Sequence, residues 1–153
     1  MGVRANNKMN VLMLLQPKSE VEYITDTCTL RQGLEKMRAH GYTAIPVITK
    51  EGLYAGSVSE GDFLWHIVEH AGEIDDIRKC ENYRIRDIMD PERNPAVGVG
   101  VDMETIIDRA ENQNFIPVTD DRGFFIGIVT RRDIIRAFCD ADICEPMFSS
   151  AGA

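Results

Sequence analysis

The stretch AIPVITKEGLYAGSVSEGD, Ala44 to Asp62, recurs 71 positions later as FIPVTDDRGFFIGIVTRRD, Phe115 to Asp133. Ile45 falls over Ile116, Pro46 over Pro117, Gly52 over Gly123, Gly56 over Gly127, Val58 over Val129 and Asp62 over Asp133; the hydroxyl of Ser59 returns as that of Thr130. Upstream the offset becomes 73, with Leu30 over Met103 and Leu34 over Ile107, and earlier still Pro17 lies over Pro91. Self-similarity of this kind constrains architecture before any motif does, because both copies must adopt one local fold and bury their apolar faces on each other. The copies run over 10–71 and 84–141, joined by a polar connector, 72–83, and followed by a tail, 142–153.

Within a copy the apolar spacing predicts a strand, then a helix from Leu30 to His40 with a stripe at Leu30, Leu34 and Met37 and a stop at Gly41. Two short strands follow, TAIPVIT and LYAGSVS, separated by a KEG turn, and then a second helix, EGDFLWHIVEH in copy one and RRDIIRAFCD in copy two. A copy of this size has only a marginal core alone. The expected fold is therefore α+β, two β-α-β-β-α units packed sheet to sheet about a pseudo-two-fold axis.

Composition narrows the function. Seventeen basic against 25 acidic residues leave a formal charge of −8, which argues against duplex nucleic acid, since neutralising phosphates needs a concentrated positive face. No apolar stretch is long enough to span a bilayer, and MGVRANNKMN lacks the apolar core of a signal peptide; the expectation is a cytoplasmic protein without membrane contact. Cys28, Cys80, Cys139 and Cys144 form no CxxC pair, so reduced thiols are expected. His66 and His70 stand at i and i+4 on a helix, but with no third ligand near in sequence they read as a structural pair and no metal is expected. The acidic connector residues Glu73, Asp75 and Asp76 read as a solvated linker. Met9, Met13 and Met37 read as core or dimer packing, and Trp65 as a residue at a helix interface.

The segment GIVTRRDII, Gly127 to Ile135, is less easily dismissed. Thr130 and Asp133 fit a capping box at a helix start. Arg131 and Arg132, however, oppose the partial positive charge of that helix N-terminus, where an acidic residue would be favoured. A small anion bound beside them would explain both. Catalysis is not expected, because no second carboxylate, His or Cys accompanies Asp133 within the repeat.

With GYTAIPVITKEG and GSVSEGD in one copy, and IPVTDDRG and GIVTRRD in the other, the chain resembles a tandem pair of cystathionine-β-synthase (CBS) domains, the Bateman module. The resemblance implies a stand-alone, non-catalytic regulatory module that binds an adenine nucleotide of the AMP, ADP or ATP type as its regulatory ligand, in clefts between the copies. It also implies that Ser/Thr-x-x-Asp holds the ribose. In the main cleft these residues are Thr130 and Asp133, with Arg131 and Arg132 for phosphate, Ile128 beneath, and Lys18, Glu22, Tyr23, Thr43, Ala44 and Ile45 walling the base. The mirror cleft, expected to be weaker because Glu60 and Gly61 replace the arginines, would use Ser57, Ser59 and Asp62 with Pro95, Ala96, Asn114 and Phe115. Cyclic di-AMP or S-adenosylmethionine sensing, or a ligand-free module that docks on an enzyme or transporter, are the alternatives. Homodimerisation is expected through the stripe residues Leu34, Met37, Phe63, Ile67, Ile106, Ile134 and Phe138, besides an unidentified regulated protein as partner.

Overall fold

The computed structural model describes residues 9–72 and 77–140. Its helices begin on side chains that satisfy their leading N–H groups: Asn10 caps α1 (Val11–Leu14), Thr29 caps α2 (Leu30–His40) and Ser59 caps α3 (Glu60–Glu69). Asp102 caps α4 (Met103–Asn112), and the Thr130 hydroxyl accepts from the Asp133 N–H at the start of α5 (Arg131–Asp140). Gly41 closes α2 in the left-handed conformation, φ 67°, at the position the sequence predicts.

The strands are β1 (Gln16–Pro17), β2 (Ile24–Thr25), β3 (Ala44–Ile48), β4 (Tyr54–Ser59), β5 (Val97–Gly98), β6 (Phe115–Thr119) and β7 (Phe125–Thr130). Each copy pairs its strands alike, β2 parallel to β3 and β3 antiparallel to β4, β5 parallel to β6 and β6 antiparallel to β7. The turns after β3 and β6 meet across the pseudo-two-fold axis and bond reciprocally: the Tyr54 N–H donates to the Gly123 carbonyl at 3.1 Å and the Phe125 N–H to the Gly52 carbonyl at 3.0 Å. The fold is the expected pair of α+β units.

The copies also exchange their leading segments. β1, from the first copy, pairs antiparallel with β7 of the second, completing a sheet of order β1-β7-β6-β5. Reciprocally, Asp90 forms a bridge with Ser57 on β4. The cores follow the same exchange: Val11 and Leu14 pack with Val97, Ile106, Ile116 and Val129, while Cys80 and Ile85 pack with Leu30, Ile45, Val58 and Phe63. A glycine makes each crossing possible. A Cβ on Gly127 would land on the Gln16 carbonyl, and one on Gly56 would sit 2.7 Å from the Asp90 carbonyl.

The polar connector carries structure of its own, because Ile77–Asn82 is a 3-10 helix whose Cys80 is buried; Glu73, Asp75 and Asp76, read as a solvated linker, lie outside the described residues, as does Cys144. The stripes assigned to a dimer interface are largely consumed within the monomer, where Met37, Phe63, Ile106 and Ile134 are all buried. The large apolar residues exposed on the described helices are instead Leu12 and Met13 on α1, Leu64, Trp65 and Val68 on α3, Ile107 on α4 and Ile135 on α5. Trp65 is 65% exposed, so it packs at no helix interface within this chain. His66 and His70 stack at 4.2 Å, with the Tyr83 ring edge-on to His66 at 4.4 Å.

Candidate functional site

Strand alternation decides what faces the space between the copies, since residues i and i+2 share a face. Ala44 and Pro46 of β3, and Ile128 and Thr130 of β7, line a cavity of about 320 Å³. That is the lower end of the size range of small-molecule sites. Thr43, Gly41 and Tyr42 add one rim, Asn114 and Phe115 another, and Gln16 with Glu20, Val21 and Glu22 a third.

Of the residues expected in the main cleft, Glu22, Thr43, Ala44, Ile128 and Thr130 line this cavity. Ile45 does not, because it alternates away from Ala44 and is 1% exposed in the core. Lys18 and Tyr23 do not either. A 3-10 turn at Lys18–Glu20 turns the chain between β1 and β2, leaving the Lys18 ammonium 5.3 Å from the Tyr23 ring and 3.8 Å from a Cβ built on Gly52. The Tyr23 ring contacts that of Phe125 at 6.1 Å. Asn114 and Phe115, expected in the mirror cleft, line the main one, because Phe115 pairs directly with Thr130 in the β6–β7 register. Gln16, Glu20, Val21 and Gly41 line the cavity beyond the expected set, as do Tyr42 and Pro46, neighbours of the expected Thr43, Ala44 and Ile45. Pro46 alone carried a signal, its i+2 relation to Ala44.

Asp133 stands at the margin of the cavity, bound to a residue that lines it. Its Oδ2 accepts from the Thr130 N–H at 2.9 Å and from the Thr130 hydroxyl at 2.7 Å, and the Gln16 side-chain amide donates to Oδ1 at 3.1 Å and Oδ2 at 2.9 Å. The capping box is therefore real. It uses one carboxylate oxygen, and a neutral amide bridges that oxygen and the other.

Arg131, whose place at a helix start is unfavourable on α5, has a favourable role on α4. Its guanidinium donates to the Ala110 carbonyl at 2.5 Å and the Glu111 carbonyl at 3.3 Å, at the C-terminal end of α4 where partial negative charge collects. That contact accounts for Arg131 without an anion. Arg132 is exposed beside it.

The hydroxyl and carboxylate expected to serve the mirror cleft are already bonded to a side chain of the protein. Arg93 donates to Asp62 through two nitrogens, at 2.5 and 3.0 Å, and to the Ser59 hydroxyl at 3.1 Å. Asp62 holds the guanidinium in its protonated form, pushing its pKa up. Ser57 is fully buried and paired through its backbone to Asp90, the Pro95 carbonyl accepts from Arg109 at 2.9 Å, and Ala96 is half-buried. Nothing in the sequence pattern singled out Arg93, which reaches Asp62 across 31 residues of chain.

Among the described residues no group of three or more His, Cys, Asp or Glu is arranged to hold a metal ion, and no helix is long and apolar enough to cross a membrane.

Two curated relatives match, both uncharacterized proteins of methanogens. The Methanopyrus kandleri protein is 29% identical over 66% of this chain, which spans only about half of that relative (49%). The Methanocaldococcus jannaschii protein is 27% identical, with 86% of this chain and 96% of the relative covered. Among solved structures the fold resembles CbpB in complex with c-di-AMP (TM-score 0.82, 20% identity, 97% of this chain and 98% of that one). It also resembles CBSX2 in complex with AMP (TM-score 0.68, 24% identity, 84% and 94% covered). The family model for the CBS domain matches twice, over residues 14–69 and 85–140. With the repeat, the exchanged sheets and this double match in hand, the chain belongs to the CBS domain family.

Proposed function

We propose that this protein is a cytoplasmic regulatory sensor that binds an adenine nucleotide of the AMP, ADP or ATP type between its two copies, with Asp133 and Thr130 reading the ribose and no reaction performed on the ligand. The observation that carries the reading is the state of Asp133, a carboxylate beside a cavity of about 320 Å³, fixed by its own helix cap and otherwise bonded to one neutral amide. A vicinal diol is a pair of donors suited to such an acceptor. Glu20, and Glu22 beside its ion-pair partner Lys36, offer further acceptors for the exocyclic amine of adenine, and exposed Arg132 is assigned to phosphate. The AMP complex of CBSX2 and the c-di-AMP complex of CbpB support the ligand class. Homodimerisation belongs to the same reading, through Leu64, Trp65 and Val68. These exposed residues equally favour a second reading, a docking face for a regulated enzyme or transporter.

Calorimetric titration with AMP tests the proposal. Asp133→Ala removes hydrogen bonds to a charged group, worth roughly 1.5–3 kcal/mol each, so affinity should fall at least about tenfold, and by more than in Asp62→Ala. If AMP, ADP, ATP, c-di-AMP and S-adenosylmethionine all fail to bind the folded protein, the sensor reading is wrong and the docking reading takes its place.

A further inference from the structure

We propose that Gln16 is an internal competitor for the ribose, a residue that sets how tightly ligands with free hydroxyls are held; the inference rests on the nucleotide reading of the Asp133 cavity. The two oxygens of Asp133 are not equivalent. Oδ2 takes the Thr130 N–H at 2.9 Å and the Thr130 hydroxyl at 2.7 Å, which ties it to the start of α5. A carboxylate oxygen offers about two lone pairs, so Oδ2, which carries both bonds of the cap, has the less room and Oδ1 is the oxygen a diol would take. The Gln16 amide bridges the two oxygens, 2.9 Å from Oδ2 and 3.1 Å from Oδ1, and so stands on the oxygen that a diol would use.

Backbone pairing keeps Gln16 there. Its Cα is in register with Ile128, which lines the cavity, and the neighbouring pair Pro17 and Gly127 brings β1 against β7. Only the side chain can yield. Gln16 also borders a second cavity of about 230 Å³, lined by Met13, Leu15, Arg136 and Asp140, and Asp133 faces that cavity too. A displaced amide therefore has adjacent space with polar partners to swing into. A ligand whose two ribose hydroxyls both take Oδ1 must turn Gln16 out, whereas a ligand without them leaves it in place. The mirror cleft works against such exchange, since Arg93 sets a full charge on Asp62.

Titrating AMP and 2′,3′-dideoxy-AMP into the wild type, Gln16→Ala and Gln16→Met tests this, the Met variant keeping side-chain bulk while removing the donor. Both variants should bind AMP tighter by about fivefold or more, the loss of one competing charged hydrogen bond. Their affinity for the dideoxy analogue should stay near that of the wild type. Tighter AMP binding by the variants supports the competition even where the wild type binds too weakly to measure. Weaker AMP binding in both variants identifies Gln16 as a ligand contact and overturns the proposal. So does an equal gain for both ligands, which removes Asp133 from the effect. If the wild type binds AMP and the variants bind it no tighter, the competition alone fails; if neither wild type nor variants bind any adenine nucleotide, the nucleotide reading fails and takes the competition with it.

Discussion

Removing the Arg93 side chain is a direct test of what holds Asp62. The Asp62 side chain is 13% exposed and that of Arg93 36%, so their pair lies between a surface ion pair and a buried one. Exposed pairs contribute about 0.2–1 kcal/mol, whereas breaking a buried pair costs about 3–5. Arg93 also sits 3.6 Å from Asp90, so its loss takes a counter-ion from two carboxylates. Arg93→Ala should therefore cost about 2 kcal/mol, which for a chain of this size lowers Tm by about 4–8 °C. Thermal unfolding by circular dichroism measures this, at about 0.1 M and about 1 M salt, where a surface pair would fade and this partly buried one should persist. The same substitution in an Asp62→Asn background should cost much less, because the carboxylate that needs the guanidinium is gone. An equal drop in both backgrounds, or a change under about 1 °C in the wild-type background, would refute the assignment of Arg93 as the partner that holds Asp62.

Two further outcomes follow from packing and burial. Gly127→Ala sets a Cβ against the Gln16 carbonyl and 2.8 Å from Leu15 Cδ1, so β1 must lift from β7; a cost of about 3 kcal/mol or more is expected, and an unchanged Tm would contradict the exchanged pairing. The Tyr54 hydroxyl donates to the Asn94 carbonyl at 2.7 Å, and burial pushes the phenol well above its ordinary value of 10.0. The fold thus favours the protonated form: this contribution is fully present below about pH 10 and is lost as pH rises further. Tyr54→Phe should cost about 1 kcal/mol at neutral pH while flattening the alkaline loss of stability, read from urea unfolding at roughly pH 8 and pH 11; equal slopes for variant and wild type would count against it.

The helices, the paired strands and the two-fold arrangement are legible in the chain because local signals agree with them: the cap at Thr29, the stop at Gly41 and matched glycines at each hairpin. The walls of the cavity are legible only in part. Ala44 and Ile128 lie on the face that the pairing implies, but Ile45, adjacent to Ala44 in the motif, faces the core because one step along a strand reverses the side chain. The segment from Lys18 to Tyr23 hides its phase because a 3-10 turn interrupts the alternation. Gln16 and Arg93 could not be read at all: their bonds to Asp133 and Asp62 span 117 and 31 residues, and no local period announces a contact at such separation. Arg131 shows the reverse error, a position that looks wrong for its own helix and is right for the neighbouring one.

The traded leading segments make this single chain resemble a strand-swapped dimer whose two subunits have been joined end to end. Each half keeps a piece without which the other half's sheet and core are incomplete, Val11 to Pro17 in one direction and Cys80 to Asp90 in the other. Melting either half strips an element from its neighbour, so the two halves unfold as one cooperative unit. A gene encoding one half alone would make a chain with an orphaned arm and an empty seat for another, and two such chains would satisfy both by clasping each other.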